Sequence, residues 1–588
     1  MGIDTDDKLV GLLVPVFAMR RADDLGIGDT KAVKETIDFC AANKIGLLQV
    51  LPINETGGDN SPYNAISSIA LDPVLLTVSP DTVRWITGAQ YQEIVSNRLS
   101  DRFSDQVQSG SIDYPLIKKL KLELLQRAFE NFEKEEIANK TEAYSNFKQF
   151  QQENDDWLAG YSLFRTLVDK HDGNACFKDW QECLQTYDSA KLWLASCERA
   201  DQIKRSCQFF AFVQWLAAQQ WSDVRGYADS LSVKLMGDIP FGVSRYSADV
   251  WANHQLFELD WSGGAPAEGF FQGDLFTAQW GQNWGIPLFK WEAHHDSNFV
   301  WWRRRVKTVA KFFHFFRIDH VLGFFRIYAF PWSPERNQEF VNLKAGEAAA
   351  LTAGRLPKYM PHEDYPEELG KANCAQGEKL LEMILEAAED TGVVAEDLGT
   401  VPGYVRPLLQ KLGIPGFSIP IFERLEPSRD YKPTETLPTL SLATYGTHDH
   451  QPLRFFYESL VAWWHGENGD AGWLEVQRLM KFLGLDTNNP PTQYTDELAC
   501  AFFKALLASP CWLVVFMVTD LLGTKQRFNE PGLSSSDNWT ERLDMPLALY
   551  ECDNAYVNKI KCFKTYVEQS QRQTKGNIGE RRAAKSCT

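Results

Sequence analysis

Eight short apolar runs punctuate the chain, at residues 12–17, 45–51, 233–237, 315–318, 393–395, 417–421, 442–445 and 512–516, each ending in polar, Gly or Pro residues. Longer amphipathic stretches lie between many of them. Runs that are apolar at nearly every position suit parallel strands buried on both faces, whereas strict alternation marks a sheet with one wet face. Eight such strands alternating with helices predict an α/β fold, a (β/α)8 TIM barrel. Periodicity alone also fits an open doubly wound sheet.

The uneven gaps divide the chain. Residues 1–75 form the first part of the barrel, and 76–205 an inserted, largely helical subdomain. Within it Asp113-Tyr114-Pro115 has the form of a helix start, and Ile117, Leu120, Leu124, Ala128 and Phe132 follow at helical spacing. Residues 206–570 complete the barrel, with rim insertions near 244–290 and 332–375 that carry little helical pattern. The basic, polar stretch 571–588 has no apolar period and predicts a disordered tail.

Composition narrows the class without naming a reaction. Apolar residues make up 44% and charged residues 23%, the balance of a soluble globular protein. Sixty basic against 78 acidic residues give a net charge of −18, which argues against nucleic acid or an anionic membrane as partner and leaves a neutral ligand open. No apolar run is long enough to span a bilayer, and residues 1–8 are acidic and polar, so a cytoplasmic location is expected. Eleven cysteines without a CxxC pair read as free thiols. Aromatics reach 13%; most serve packing, but the excess also suits a cleft that stacks on sugar rings.

Candidate chemistry gathers at strand ends. Asp319 closes Phe316-Arg317-Ile318, Glu396 closes Val393-Val394-Ala395, and Asp449 lies in Gly446-Thr447-His448-Asp449-His450. A barrel brings its C-terminal strand ends to one face, so acids distant in sequence share a pocket. Cleaving an acetal needs a proton on the departing oxygen and a negative group against the developing oxocarbenium ion, which paired carboxyls supply. Taken singly, an acid at a strand end is more often a helix N-cap or an ion-pair partner. Arg317 and Asp319 share a strand face by period-two alternation, so the guanidinium is expected to favour the ionised form of Asp319. A charged Asp319 would in turn favour a proton on Glu396. Nucleotide-binding glycine motifs, HExxH and GxSxG are absent from the sequence. His320, His448 and His450 read as donors to hydroxyls rather than metal ligands.

The chain resembles the amylomaltases, the 4-α-glucanotransferases or disproportionating enzymes related to the α-amylases, through a series of motifs in order. Leu25-Gly26-Ile27-Gly28-Asp29, Gln49-Val50-Leu51-Pro52 and Ser61-Pro62-Tyr63 come first, then Gly237-Asp238-Ile239-Pro240 and Ser247-Ala248-Asp249-Val250-Trp251-Ala252-Asn253. Gly281-Gln282-Asn283-Trp284-Gly285, the three acidic segments, Gly413-Ile414-Pro415-Gly416, Asn529-Glu530-Pro531-Gly532 and Asn538-Trp539 complete the series. The resemblance implies a barrel without a separate C-terminal β-domain, no cofactor and no metal, acting on α-glucans and maltooligosaccharides. It implies Asp319 as nucleophile, Glu396 as acid/base and Asp449 as the acid that grips ring hydroxyls. Arg317 would orient the nucleophile, His320 and His448 would bind hydroxyls, and Asp238 would support the cluster. Tyr63 would stack on a sugar, while Gln282 and Trp284 would line the cleft. Two departures stand out: His450-Gln451-Pro452 replaces the Asn or Thr followed by Asp-Thr of many relatives, and Leu275 replaces a Tyr beside Phe276. A hydrolase on the same scaffold and a non-catalytic glucan-binding protein remain the rival readings.

Overall fold

The computed structural model describes residues 3–98, 110–267, 274–531 and 537–572. Eight parallel strands make the central sheet: β1 (Leu9–Leu13), β2 (Leu47–Gln49), β3 (Lys234–Ile239), β6 (Phe315–Ile318), β9 (Gly392–Ala395), β10 (Gly416–Ser418), β11 (Ser441–Ala443) and β12 (Leu513–Met517). Their order is β10-β11-β12-β1-β2-β3-β6-β9. The two outer strands meet. Ala395 N–H donates to the Pro415 carbonyl at 2.9 Å, and Phe417 N–H donates to Asp397 Oδ1 at 2.6 Å. The sheet thus closes, nearly, into a barrel rather than lying open. All five residues of β1 and of β12 are buried, as strands covered on both faces require.

Each apolar run found in the sequence contributes one barrel strand, with shifted ends where proline intervenes. The first strand occupies Leu9–Leu13, earlier than the run at 12–17, because Pro15 has no N–H to give and the chain turns there into Val16–Ala18. Residues Val16, Phe17 and Ala18 are buried all the same, so burial there marks a packed turn.

Between β2 and β3 the described residues are largely helical, including Gly88–Arg98, Tyr114–Phe132, Glu142–Glu153, Asp155–Lys170, Tyr187–Ser196 and Ala200–Ser230. Asp113 caps its helix as the sequence predicts, accepting from Leu116 N–H at 3.0 Å. Ile117, Leu120, Leu124, Ala128 and Phe132 all face inward. The division drawn between 205 and 206 falls inside Ala200–Ser230, a helix that belongs to both parts: Gln214 exchanges two hydrogen bonds with the backbone of Leu71, and Trp221 packs on Phe313.

The rim insertions, together with residues 327–330 between them, build a second sheet that the sequence pattern did not predict. Strands β4 (Phe257–Ala265), β5 (Gln282–Phe289), β7 (Ile327–Phe330) and β8 (Lys358–Met360) pair antiparallel in the order β5-β4-β7-β8. A small separate core of Phe276, Trp280, Phe330, Trp332 and Phe340 packs with it. Leu275, the departure beside Phe276, is 71% exposed.

After β12 the described residues hold the helices Val518–Leu522, Leu547–Tyr550 and Val557–Gln569 and an isolated bridge from Glu541 to Ser111, but no further β-domain. Two expectations need correction here. Cys500 and Cys562 form a disulfide, because Asp496–Leu507 and Val557–Gln569 pack side by side with those Cα atoms 6.2 Å apart, a proximity that spacing of 62 residues conceals. The expected tail begins too early: Arg572 is buried and its guanidinium donates to the carbonyls of Leu507, Ser509 and Cys511. The rest of that predicted tail, 573–588, lies outside the described residues.

Candidate active site

Parallel register brings the first charged residues together. Asp238 on β3 pairs directly with Arg317 on β6, and Arg317 pairs with Val394 on β9, one residue short of the strand end. Asp319 and Glu396 each follow immediately after the end of their strand. Asp449 reaches the same face from a loop after β11.

Arg317 is the hub. Its side chain is 1% exposed. Nη1 donates to Asp238 Oδ2 at 2.6 Å, and Nη2 to Asp319 Oδ1 at 2.9 Å, with Glu396 Oε1 3.2 Å from the same Nη2. The Tyr63 hydroxyl also donates to Asp238 Oδ2, at 2.7 Å. Glu396 Oε2 accepts from His320 N–H at 2.7 Å. That donor points correctly because His320 adopts a left-handed backbone, φ 42°, sparsely populated by non-glycine residues and frequent at functional sites. None of the three acids caps a helix, so the capping alternative does not describe them.

Asp449 is held by a different set. Its Oδ1 accepts from Asn529 Nδ2 at 2.6 Å and lies 3.2 Å from His448 Nε2, while its backbone carbonyl accepts from Arg527 at 3.1 Å. His448 stacks on Tyr63 with centroids 4.7 Å apart and planes 9° off parallel, so one face of Tyr63 is already covered. Trp284 meets His320 edge-on at 4.8 Å and donates to Gln282 Oε1 at 3.1 Å. Gly281 precedes that pair at φ 100°, where a Cβ would sit 2.1 Å from the Ala265 carbonyl; only glycine lets the strand turn there.

Protonation follows from burial and neighbours. Burial pushes Asp319 well up; Arg317 pulls it down, but Glu396, Asp238 and Asp449 repel a further negative charge. Arg317 does favour the ionised form of Asp319, as expected from the sequence, but one guanidinium is shared among three carboxyls, and burial outweighs its pull. Burial also raises Asp238, to about 6, against the pull of Arg317 and Tyr63. Asp449 goes the other way: burial raises it, yet the combined pull of His448, Asn529 and Arg317 leaves it lowered. Burial lowers both His320 and His448 to about 4, so both are neutral near pH 7. The bond from Asn529 to Asp449 does not depend on the charge of His448.

These groups open on a cavity of about 420 Å³ whose lining includes Tyr63, Gln282, Trp284, Asp319, His320, Glu396, His448 and Asp449. Asp238 and Arg317 stand behind it. A roomier cavity of about 630 Å³ lies among the insertion helices, without a comparable convergence of carboxyls. A profile of the family described as 4-alpha-glucanotransferase matches residues 14–547.

The chain belongs to the 4-alpha-glucanotransferase family.

Among relatives, the 4-alpha-glucanotransferase of Chlamydia pneumoniae is 28% identical over 572 residues, covering 94% of each chain. That of Aquifex aeolicus is 28% identical over 547 residues, covering 91% of this chain and 95% of its own. The structure of amylomaltase from Streptococcus agalactiae in complex with acarbose superposes with a TM-score of 0.71 at 21% identity, covering 95% of this chain and 99% of that one. Amylomaltase from Corynebacterium glutamicum gives 0.73 at 19% identity, covering 95% and 75%. At such identities these structures speak for the barrel fold.

Within this 4-alpha-glucanotransferase family chain, the structure brings all ten sequence-derived site residues to one place, eight on the cavity wall and two behind it. It adds Asn529, Arg527 and Trp539, which sequence reasoning passed over as site residues. Asn529 and Trp539 did stand in the ordered motif series, but no pattern tied them to Asp449.

Proposed function

We propose that the chain is a retaining 4-α-glucanotransferase, moving α-1,4-glucan segments from a maltooligosaccharide or a starch- or glycogen-type donor to the 4-hydroxyl of glucose or another glucan. One observation carries the reading. Asp319 Oδ1 and Glu396 Oε1 lie 2.9 and 3.2 Å from the same Arg317 nitrogen, so they are separated by no more than the two distances together, about 6 Å. Retaining enzymes set their carboxyls about 5–5.5 Å apart so that the nucleophile reaches the sugar, whereas inverting enzymes leave about 6.5–9.5 Å for a water.

Asp319 attacks C1 of the bound donor while Glu396 passes a proton to the departing 4-oxygen. The C1–O bond breaks and a glycosyl–Asp319 ester forms. Glu396, now a carboxylate, takes the proton of the acceptor 4-hydroxyl as that oxygen displaces Asp319 from C1. The step starts from ionised Asp319 and a single proton on Glu396; the bond from Arg317 to Asp319 Oδ1 favours that carboxylate, which then stabilises positive charge growing on the sugar. Asp449, held by Asn529, accepts from ring hydroxyls as the ring flattens. Transfer prevails over hydrolysis when Trp284, Tyr63 and Trp539 hold an acceptor in place of water.

Maltotriose supplied alone tests this. The expected products include glucose together with oligosaccharides longer than maltotriose; only shorter products would instead identify a hydrolase. Asp319→Asn is expected to slow maltotriose consumption by about 1,000-fold or more. Full activity in that variant would remove Asp319 from the mechanism.

A further inference from the structure

His450 occupies a position that the reading above leaves idle. Its backbone N–H donates to the Thr447 carbonyl at 3.0 Å. In the opposite sense, Thr447 N–H donates to His450 Nδ1 at 3.0 Å, and the Thr447 hydroxyl lies 2.9 Å from the same nitrogen. A backbone N–H only donates, so Nδ1 is the acceptor and the ring proton sits on Nε2. Thr447 and His450 are thus joined by reciprocal bonds across a four-residue turn, and the two residues enclosed are His448 and Asp449. Asp449 N–H approaches the Thr447 hydroxyl at 3.4 Å from inside the turn.

The surroundings leave this clamp little room to shift. At Gly446 a Cβ would stand 2.9 Å from the His450 Cβ. Thr447 and His448 are buried, and Phe422 tilts against the His450 ring with centroids 5.2 Å apart. The groups that act electrostatically on the ring are Asp449, Glu396, Arg527 and Arg317. His450 itself is absent from the cavity wall, so its effect passes through the turn.

We propose that His450 is a positioning residue for Asp449: by accepting from Thr447 N–H it closes the turn that aims Asp449 into the cavity. This rests on the role given to Asp449 in the proposed reaction. Its Nδ1 does there what a short acceptor side chain such as Asn would do, with an oxygen at the corresponding place. Displacing a reacting group by about 1 Å costs up to about 100-fold, so loss of the acceptor is read mainly in kcat.

Two substitutions separate acceptor from ring. His450→Phe keeps a ring against Phe422 and has no acceptor; His450→Asn has an acceptor and no ring. With maltotriose consumption as the readout, His450→Phe is expected to lower kcat about tenfold or more with KM within about twofold, and His450→Asn to retain kcat within about threefold of the wild type. Wild-type kcat in His450→Phe, or equal losses in both variants, overturns the proposal. Should His450→Phe fail to fold, His450→Ala takes its place, and equal kcat in the Ala and Asn variants overturns it likewise. Because the assay follows consumption rather than product length, it reads His450 whether the wild type transfers or hydrolyses. The product pattern alone decides the transferase reading, and a wild type that consumes no maltotriose defeats both.

Discussion

At the scale of single residues, Arg317 shows how position decides chemistry. A lone arginine two places before an acid on a strand reads as its partner, and the 2.9 Å bond to Asp319 is that pairing. The same guanidinium also serves Asp238 and Glu396, a division that only the register of β3, β6 and β9 creates. Asp449 differs in its partners: against the rise from burial, His448, the Asn529 amide and Arg317 together hold its carboxyl below the ordinary range. Asn529→Ala removes that donor and leaves the folded protein with a higher Asp449 pKa. The carboxyl also loses the bond that fixes its orientation, so kcat/KM on maltotriose is expected to fall about tenfold at neutrality. An unchanged kcat/KM would mean that Asn529 does not govern Asp449.

At the scale of elements, the helical insertion and the barrel are fastened by buried charge. Glu55, after β2, accepts from Arg165 Nε at 2.7 Å and from the Tyr161 hydroxyl, both on helix Asp155–Lys170. The side chains of Glu55 and Arg165 are 7% and 11% exposed. Burial raises the Glu55 carboxyl despite Arg165, so the pair stands against a desolvation cost. Arg165→Leu would strand that carboxyl and is expected to cost about 3–5 kcal/mol, read as a fall in melting temperature. Adding Glu55→Gln should recover part of the loss; no recovery would trace the effect to packing against Phe210 instead.

At the scale of the whole molecule, a buried acid outside the site makes stability depend on pH. Asp520 is 1% exposed, and burial lifts it to about 7 against the single pull of Leu453 N–H. Its ordinary value is near 3.8, so between about 4 and 7 the folded state keeps a proton that the unfolded chain releases. Stability contributed by that proton is present at acid pH and lost as pH rises through the folded value. Asp520→Asn, which keeps an acceptor for Leu453, is expected to melt higher than the wild type at pH 8, with the gap shrinking toward pH 5. A gap of constant size across that range would rule out titration of Asp520 as its cause.

What could be read before folding, and what could not, follows from the range of the forces involved. Near-continuous apolar runs, such as those ending at Ile318 and Ala395, reveal barrel strands because burial on both faces leaves few polar positions to disguise them. Strand-end acids follow from the same reading, since parallel strands deliver their ends to one face. The antiparallel rim sheet escaped because β4 and β5 carry Gly, Trp and polar residues in register shifts that no simple period describes. Cys500–Cys562, the anchoring of Arg572, the grip of Asn529 on Asp449 and the sharing of Arg317 all join positions whose proximity exists only in three dimensions. Local sequence determined which residues could ionise, stack or span a strand. Tertiary structure decided how much water each kept and which neighbours each faced, and so which carboxyls rise and which fall, because desolvation and Coulomb interactions depend on distance in space and not along the chain.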